Sequence, residues 1–391
     1  MVKSFHFSRL PLIYFGTGKR GLLPGLIKKY GDSVLIISGK SSFLKSERAE
    51  RLFDELKKSG IRFQITTVEG EPSPDVVDSV VRRYSSGRTD AVISIGGGSA
   101  IDAGKAVSAM MYKKESVQDY LEGVGTKDHP GSKIPFIAVP TTSGTGSEAT
   151  KNAVISRVGP DGFKRSLRHD NLVPDIAIVD PEMTLSCPSD ITAASGMDCF
   201  TQLTEAFVSD KSCEYTDAFA LEGLKAISGY LLKAVHDGQD IEARSGMSFA
   251  ALTSGICLAN AGLGVVHGFA ASIGGLYNIP HGVVCGTLMS ATNRITVQRL
   301  RTAQQSDISL KKYAQMGRIF LGKENKNDGY LIDGFLDFLD QLTDELRLPG
   351  LRKAGIREED LARIARLTEN KNNPVKLTPE DLLEILMIRY I

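Results

Sequence analysis

Two textures divide the chain. Up to about residue 185, short apolar runs alternate with amphipathic stretches. Val34-Leu35-Ile36-Ile37 is continuously apolar, the pattern of a strand covered on both faces. Ser46 to Gly60 reads as a helix with Leu52, Phe53 and Leu56 on its apolar side and Gly60 as its stop. Arg62 to Thr67 is the next strand. Pro74 to Tyr84 is the next helix, with proline in its first turn and Val76, Val77, Val80 and Val81 in one stripe. Ala91 to Ile95 is a strand after which a helix opens at Ser99, and Pro135 to Val139 is a fourth strand. This β-α order predicts right-handed crossovers and a mainly parallel sheet, with ligands beyond the carboxyl ends of its strands.

The second texture begins after Pro188. Eleven of the 15 prolines lie at or before it, and none falls between it and Pro280, which suits long helices. Ala193 to Ser209, Glu214 to Val235 and Ala243 to Leu258 carry helical periodicity. The expected organisation is therefore an α/β domain over residues 1–187 and an all-α domain over 188–391. From Ser245 to Asn293 there is no Asp, Glu, Lys or Arg, yet polar residues and glycines interrupt the run. Buried helices explain that stretch better than a membrane span, because basic flanking loops are missing.

Composition narrows the partners. Lys and Arg number 47 against 46 Asp and Glu, a net charge of +1, so neither nucleic acid nor an anionic membrane is the expected partner. The five cysteines form no C-x-x-C pair and are odd in number, which argues against a disulfide framework and fits a reducing cytoplasm. The first residues carry no apolar run of the kind a signal peptide needs. Only six histidines are present, so imidazole chemistry must come from a short set.

The 39 glycines are in part concentrated where strands end. Gly96-Gly97-Gly98-Ser99 follows a strand and opens a helix, a place where free amides and the helix dipole suit a phosphate. Ser99 is an expected N-cap with Asp102 returning to it. Pro140-Thr141-Thr142-Ser143-Gly144-Thr145-Gly146-Ser147-Glu148 also follows a strand and supplies hydroxyls, amides and an expected Thr145/Glu148 capping box. Each loop also reads as an ordinary turn; the pair at one sheet edge is what a dinucleotide needs. Gly16-Thr17-Gly18-Lys19 and Gly104-Lys105 both miss the spacing of a P-loop, and G-x-G-x-x-G is absent from its usual place.

Asp198 and Gln202 stand at i, i+4 of one predicted helix, while His267 and His281 lie in the charge-free run, His281 at an expected helix start after Pro280. A carboxylate, an amide oxygen and two imidazoles suit a divalent cation. By spacing alone, capping or satisfied core histidines explain them equally well.

Together these blocks resemble the iron-containing (group III) alcohol dehydrogenases, a branch of the dehydroquinate synthase-like fold. The resemblance runs through Phe15-Gly16-Thr17-Gly18, the two glycine loops, Pro174-Asp175, Val179-Asp180-Pro181, Gly196-Met197-Asp198, Gly264-Val265-Val266-His267-Gly268 and Pro280-His281-Gly282. It implies a Rossmann-like N-terminal domain, a helical C-terminal domain, and a metal and nicotinamide in the cleft between them. It also implies an aspartate, a histidine four residues later and two further histidines as ligands. Asp198, His267 and His281 match three of these; Gln202 stands at the fourth position, where the remaining histidine belongs, and Ala271 where a substrate-side histidine often stands.

The expected reaction is reversible oxidoreduction of a small alcohol or aldehyde, with Asp198, His267 and His281 as its catalytic metal-holding residues and Fe(II) or zinc as the metal. Gly96, Gly97, Gly98, Ser99 and Asp102 are expected at the coenzyme, with Thr141, Thr142 and Thr145 lining its path and Lys164 reaching it. Gly39 removes the carboxylate that would repel a 2′-phosphate, and Lys40 with Ser41 would meet one, so NADP is favoured over NAD. A homodimer is expected. Gln202 and Ala271 leave open a metal-independent enzyme resembling the maleylacetate reductases, or a catalytically lapsed nucleotide-binding protein. A dehydroquinate synthase-like lyase would need a basic pocket, which the charge-free segment argues against.

Overall fold

The structure, a computed structural model, describes residues 2–40, 43–303 and 307–391. Its strands are β1 (Leu12–Phe15), β2 (Ser33–Gly39), β3 (Arg62–Val68), β4 (Ala91–Gly96), β5 (Phe136–Pro140), β6 (Asn152–Arg157), β7 (Phe163–Arg168) and β8 (Ile176–Val179). Helices α1 (Leu23–Ile27), α2 (Glu47–Lys58), α3 (Pro74–Tyr84) and α4 (Gly98–Met110) lie among them. The remainder is helical: α5 (Ser189–Val208), α6 (Glu214–His236), α7 (Ile241–Ala261), α8 (Val265–Leu276), α9 (His281–Ala303), α10 (Asp307–Leu321), α11 (Asp328–Glu345), α12 (Leu361–Leu367) and α13 (Pro379–Ile388).

Six strands form one sheet in the order β1-β8-β5-β4-β2-β3, every pair parallel. The continuous apolar runs follow from burial on both faces. Along β2, Leu35 and Ile37 join the core under α3 and α4, while Val34 and Ile36 join the core under α1 and α2. Pro74 opens α3 as the sequence implies, and the structure adds two caps: Ser46 accepts from the Ala49 amide at 3.3 Å and Ser73 from the Val76 amide at 3.3 Å. Sequence patterning missed β1 and β8, each four residues long, and the antiparallel hairpin β6–β7.

Helices α5, α6, α7, α10 and α11 share one apolar core with part of α9, and α8, α9, α12 and α13 share another. The charge-free run becomes most of α7, all of α8 and the first half of α9, packed inside these cores. Among the described residues no single helix is long and apolar enough to cross a membrane; α7 and α8 reach that composition only as a pair bent by 96°. A smaller cluster of Ala149, Ala177, Val179, Leu252 and Ile256 ties the sheet to α7.

Candidate active site

The carboxyl ends of β2, β4 and β5 are adjacent in the sheet, so three loops meet there. A Cβ on Gly96 would lie 3.3 Å from the Gly39 amide, one on Gly97 3.3 Å from the Thr142 side chain, and one on Gly98 2.5 Å from Thr145 Cγ2. The glycines are there because the loops touch backbone to side chain. The first intrahelical bond of α4 runs from the Ile101 amide to the Gly97 carbonyl at 3.1 Å, which leaves the amides of Gly98, Ser99 and Ala100 ahead of it. Thr141, on this same edge, donates its amide to the Gly96 carbonyl at 2.9 Å.

Two expected caps are corrected. Gly97, in extended conformation, is the N-cap of α4, so Ser99 sits inside the helix. Asp102 is buried and turned the other way, accepting from the Ser147 hydroxyl and, at 3.1 Å, from the Val154 amide. It braces the second loop and the hairpin and does not return to Ser99. Nor do Thr145 and Glu148 form a capping box: Gly146, at φ +60°, precedes a single 3₁₀ turn, and Thr145 Oγ1 accepts from the Ser147 amide at 3.3 Å. Sequence reasoning also missed Lys105. Fully buried, it donates to the Ser147 carbonyl (2.8 Å), Thr150 Oγ1 (2.8 Å) and the Asn152 carbonyl (2.7 Å), and burial draws its pKa down to about 8.

Gly39 closes β2 and Lys40 follows it, exposed and paired with Glu69 at 2.5 Å. Ser41 lies outside the described residues.

The β5 loop continues into the helices. A Cβ on Gly144 would lie 2.7 Å from Ser195 Cβ on α5, and one on Gly282 3.3 Å from the Ser195 amide. One turn further along α5 is Asp198. Its Oδ1 lies 3.3 Å from Nε2 of His267, in the first turn of α8, and 3.5 Å from Nε2 of His281, the first residue of α9. The imidazoles stand edge to face, their centroids 5.4 Å apart. Three helices thus deliver one donor each to a single point, and a buried carboxylate with two imidazoles is a set suited to a divalent cation.

The electrostatics agree. Burial alone would raise the Asp198 carboxyl, but His281 and His267 outweigh it and hold it at about 2. Burial, with Lys164 next to it, keeps His281 down at about 4, in the neutral form a ligand must have.

Behind His267 stands Glu205, seven residues after Asp198 on α5 and missed in the sequence. Its Oε2 lies 2.6 Å from His267 Nδ1 and its Oε1 accepts from the Val266 amide at 2.6 Å. That fixes the ring with Nε2 aimed at Asp198. Gln202 is buried one turn after Asp198, its Oε1 accepting from Ser254 on α7 at 3.1 Å.

Lys164, on β7, contacts this centre and not the glycine loops: it pairs with Glu71 and lies 3.3 Å from His281 Nδ1. A cleft of about 320 Å³ opens between Glu69, Gly70 and Glu71 on one side and Gly274 and Tyr277 on the other, so Glu71 borders both the cleft and Lys164. Ala271, one turn past His267, brings no titratable group.

Residues 11–181 match the family described as iron-containing alcohol dehydrogenase, and residues 192–390 match the C-terminal part of the Fe-containing alcohol dehydrogenase family. The chain is 30% identical over 385 residues to the NAD-dependent methanol dehydrogenase of Bacillus methanolicus, covering 93% of this chain and 95% of that one. It is 28% identical over 388 residues to the NADPH-dependent butanol dehydrogenase of Clostridium saccharobutylicum, covering 97% and 96%. An alcohol dehydrogenase from Oenococcus oeni superposes with a TM-score of 0.88 at 29% identity, over 99% of this chain and all of that one (100%).

Proposed function

The chain belongs to the iron-containing alcohol dehydrogenase family, and on that premise we propose that Asp198, His267 and His281 hold the divalent metal of this NAD(P)-linked alcohol dehydrogenase. The observation that carries the assignment is the meeting of those three donors at one buried point, one turn of α5 from the loop that leads back to the glycine-rich sheet edge. The enzyme interconverts a small alcohol and its aldehyde. When bound, the metal supplies Lewis acidity toward the substrate oxygen, and the nicotinamide takes or gives the hydride.

The chain's own residues do the positioning. Gly96, Gly97 and Gly98 let the backbone approach a pyrophosphate, and the free amides of the first turn of α4 face it. Thr142 and Thr145 carry the coenzyme path from those glycines toward Gly144 and α5. Glu205 holds His267 in one tautomer. With Ala271 in place of an imidazole, Lys164 and Glu71 are the titratable groups on the cleft side of His281.

For the coenzyme we assign NADP(H). No carboxylate follows Gly39, and Lys40, exposed and paired only across the surface with Glu69, is free to exchange that partner for a 2′-phosphate. Zinc or Fe(II) suits the donors. The test is metal-stripped protein offered NADPH and a panel of short aldehydes, followed by addition of zinc, iron, manganese or nickel. Loss of nicotinamide absorbance only after metal addition is expected; the same turnover in the stripped protein refutes the metal assignment.

A further inference from the structure

The donor set around Asp198 contains a fourth side chain. Cys285 stands four residues after His281 on α9 and is fully buried. Its Sγ lies 3.8 Å from Nε2 of His267 and 3.8 Å from Nε2 of His281. One donor atom each from Asp198, His267, His281 and Cys285 all fall within 4.8 Å of one another.

These separations have a physical meaning. Around a tetrahedral centre with nitrogen and oxygen at about 2.0–2.1 Å and sulfur at about 2.3 Å, donor atoms stand about 3.3 Å apart for nitrogen–oxygen pairs and about 3.6 Å for sulfur–nitrogen pairs. The two nitrogen–oxygen distances are 3.3 and 3.5 Å, and the two sulfur–nitrogen distances are both 3.8 Å. Four of the six separations thus already match a coordination shell, and the other two fall within 4.8 Å. Gln202 turns its Oε1 toward α7 instead, 3.1 Å from the Ser254 hydroxyl, whose single proton it shares with the Ala251 carbonyl at 2.8 Å.

We propose that the thiolate of Cys285, and not the amide of Gln202, completes the metal site, giving an Asp198–His267–His281–Cys285 set. The proposal rests on the metal assignment above and deepens it. On metal binding the S–H bond of Cys285 breaks, its proton passes to solvent, and a sulfur–metal bond forms. A thiolate is a softer donor than the imidazole it replaces, so the site favours zinc or cobalt over magnesium or manganese. With four protein donors, a substrate oxygen would have to add to the metal as a fifth.

The experiment reads the sulfur directly. Stripped wild-type protein is reloaded with cobalt(II), and its near-ultraviolet spectrum is compared with those of Cys285→Ser and Gln202→Ala. A thiolate-to-cobalt charge-transfer band at one cobalt per chain is expected in the wild type and in Gln202→Ala, and its loss in Cys285→Ser. Cobalt affinity of Cys285→Ser should fall by at least the roughly 10–100-fold that loss of an outer partner costs. Because Cys285→Ser alters a buried position, zinc-loaded wild type is also measured by X-ray absorption, where one sulfur scatterer at about 2.3 Å is expected. Stoichiometric metal with no sulfur scatterer, or a band that persists in folded Cys285→Ser, overturns the proposal and leaves the metal assignment standing. Failure to bind any divalent metal overturns both.

Discussion

Glu205→Gln separates a residue that positions a ligand from one that merely holds the fold. Glu205 accepts two bonds at 2.6 Å, from the Val266 amide and from His267 Nδ1. Glutamine keeps the shape but has one oxygen. If that oxygen stays on Val266, the amide NH₂ faces Nδ1 and must donate to it. The ring then carries its proton on Nε2, the nitrogen 3.3 Å from Asp198 that is assigned to the metal. The metal-free protein keeps the Nε2–H bond to Asp198 but loses the charge-assisted bond from His267 to Glu205, so its stability should drop by about 1.5–3 kcal/mol. The metal must also pay to reverse the tautomer, and loss of such a partner typically weakens metal binding by about 10–100-fold. At roughly 1.4 kcal/mol per tenfold, that is about 1.4–2.8 kcal/mol. Zinc Kd by chelator competition and the unfolding midpoint of stripped protein supply the two numbers. A Kd within about twofold of wild type, with that loss of metal-free stability, would mean Glu205 is only a brace for the start of α8.

Three further outcomes are expected. Lys40→Ala should raise the KM for NADPH about fivefold, the ~1 kcal/mol of an exposed charge pair, and leave that for NADH unchanged; equal effects on both would remove Lys40 from the 2′-phosphate. Gly146→Ala places a Cβ at φ +60° and 2.5 Å from Gly255 Cα on α7, so it should cost about 2 kcal/mol or more in stability and weaken coenzyme binding; wild-type values for both would show that the loop is free to shift. Burial lifts Glu148 to about 7, opposed by Lys105 on α4, with Cys199 of α5 also facing it. The native state then holds a proton the unfolded chain has lost between about pH 4.5 and 7, so this group's contribution to stability falls as pH rises through that window. Glu148→Gln should flatten the slope there, by roughly 1 kcal/mol per pH unit at most, in denaturant melts at stepped pH; an unchanged slope refutes the shift.

How far the sequence carried depends on the distance over which each feature is encoded. Strands β2 and β4 were legible because a sheet covered on both faces needs uninterrupted apolar residues, and α2 and α3 because their apolar stripes, Gly60 and Pro74 act within a few turns. The hairpin β6–β7 was not, since its polar alternation (Asn152, Ser156, Lys164, Ser166) is compensated by partners far away, Lys105 on α4 and Glu71 after β3. Asp198, His267 and His281 were visible only through resemblance; nothing local says that helices 69 residues apart bring them to 3.3 Å. Glu205 had a usable signal, two turns from Asp198 on the same stripe. Cys285 had a weaker one, one turn from His281. Ser99 misled because a glycine N-cap needs no side chain, and the close Thr145 contact, which no local pattern reports, is what selects glycine at position 98.

The inside of α5 shows why Asp198 differs from its polar neighbours. From Gly196 to Val208 the helix is buried all round, so a polar side chain there costs free energy unless it finds a partner within the protein, which Thr204 Oγ1 does not. Thr201 bonds back to the Met197 carbonyl at 2.7 Å, Gln202 takes the Ser254 hydroxyl, and Glu205 takes the Val266 amide. In each of these contacts a neutral N–H or O–H donates to an acceptor. Asp198 and its imidazoles differ. His267 can donate to Glu205 and to Asp198 together only as an imidazolium, and its pKa is accordingly driven up, with burial opposing and Cys285 and Glu205 prevailing. His281 faces Asp198 with one nitrogen and the Lys164 ammonium with the other. A divalent cation held by Asp198, His267 and His281 would replace the Nε2 protons toward Asp198 and would let His267 keep its bond to Glu205. It also sets His281 against Lys164, since Nδ1 must then carry the proton. Lys164 is therefore expected to turn from His281 wholly to Glu71 as the metal binds, which would place a rearranging side chain beside Glu71 at the border of the cleft.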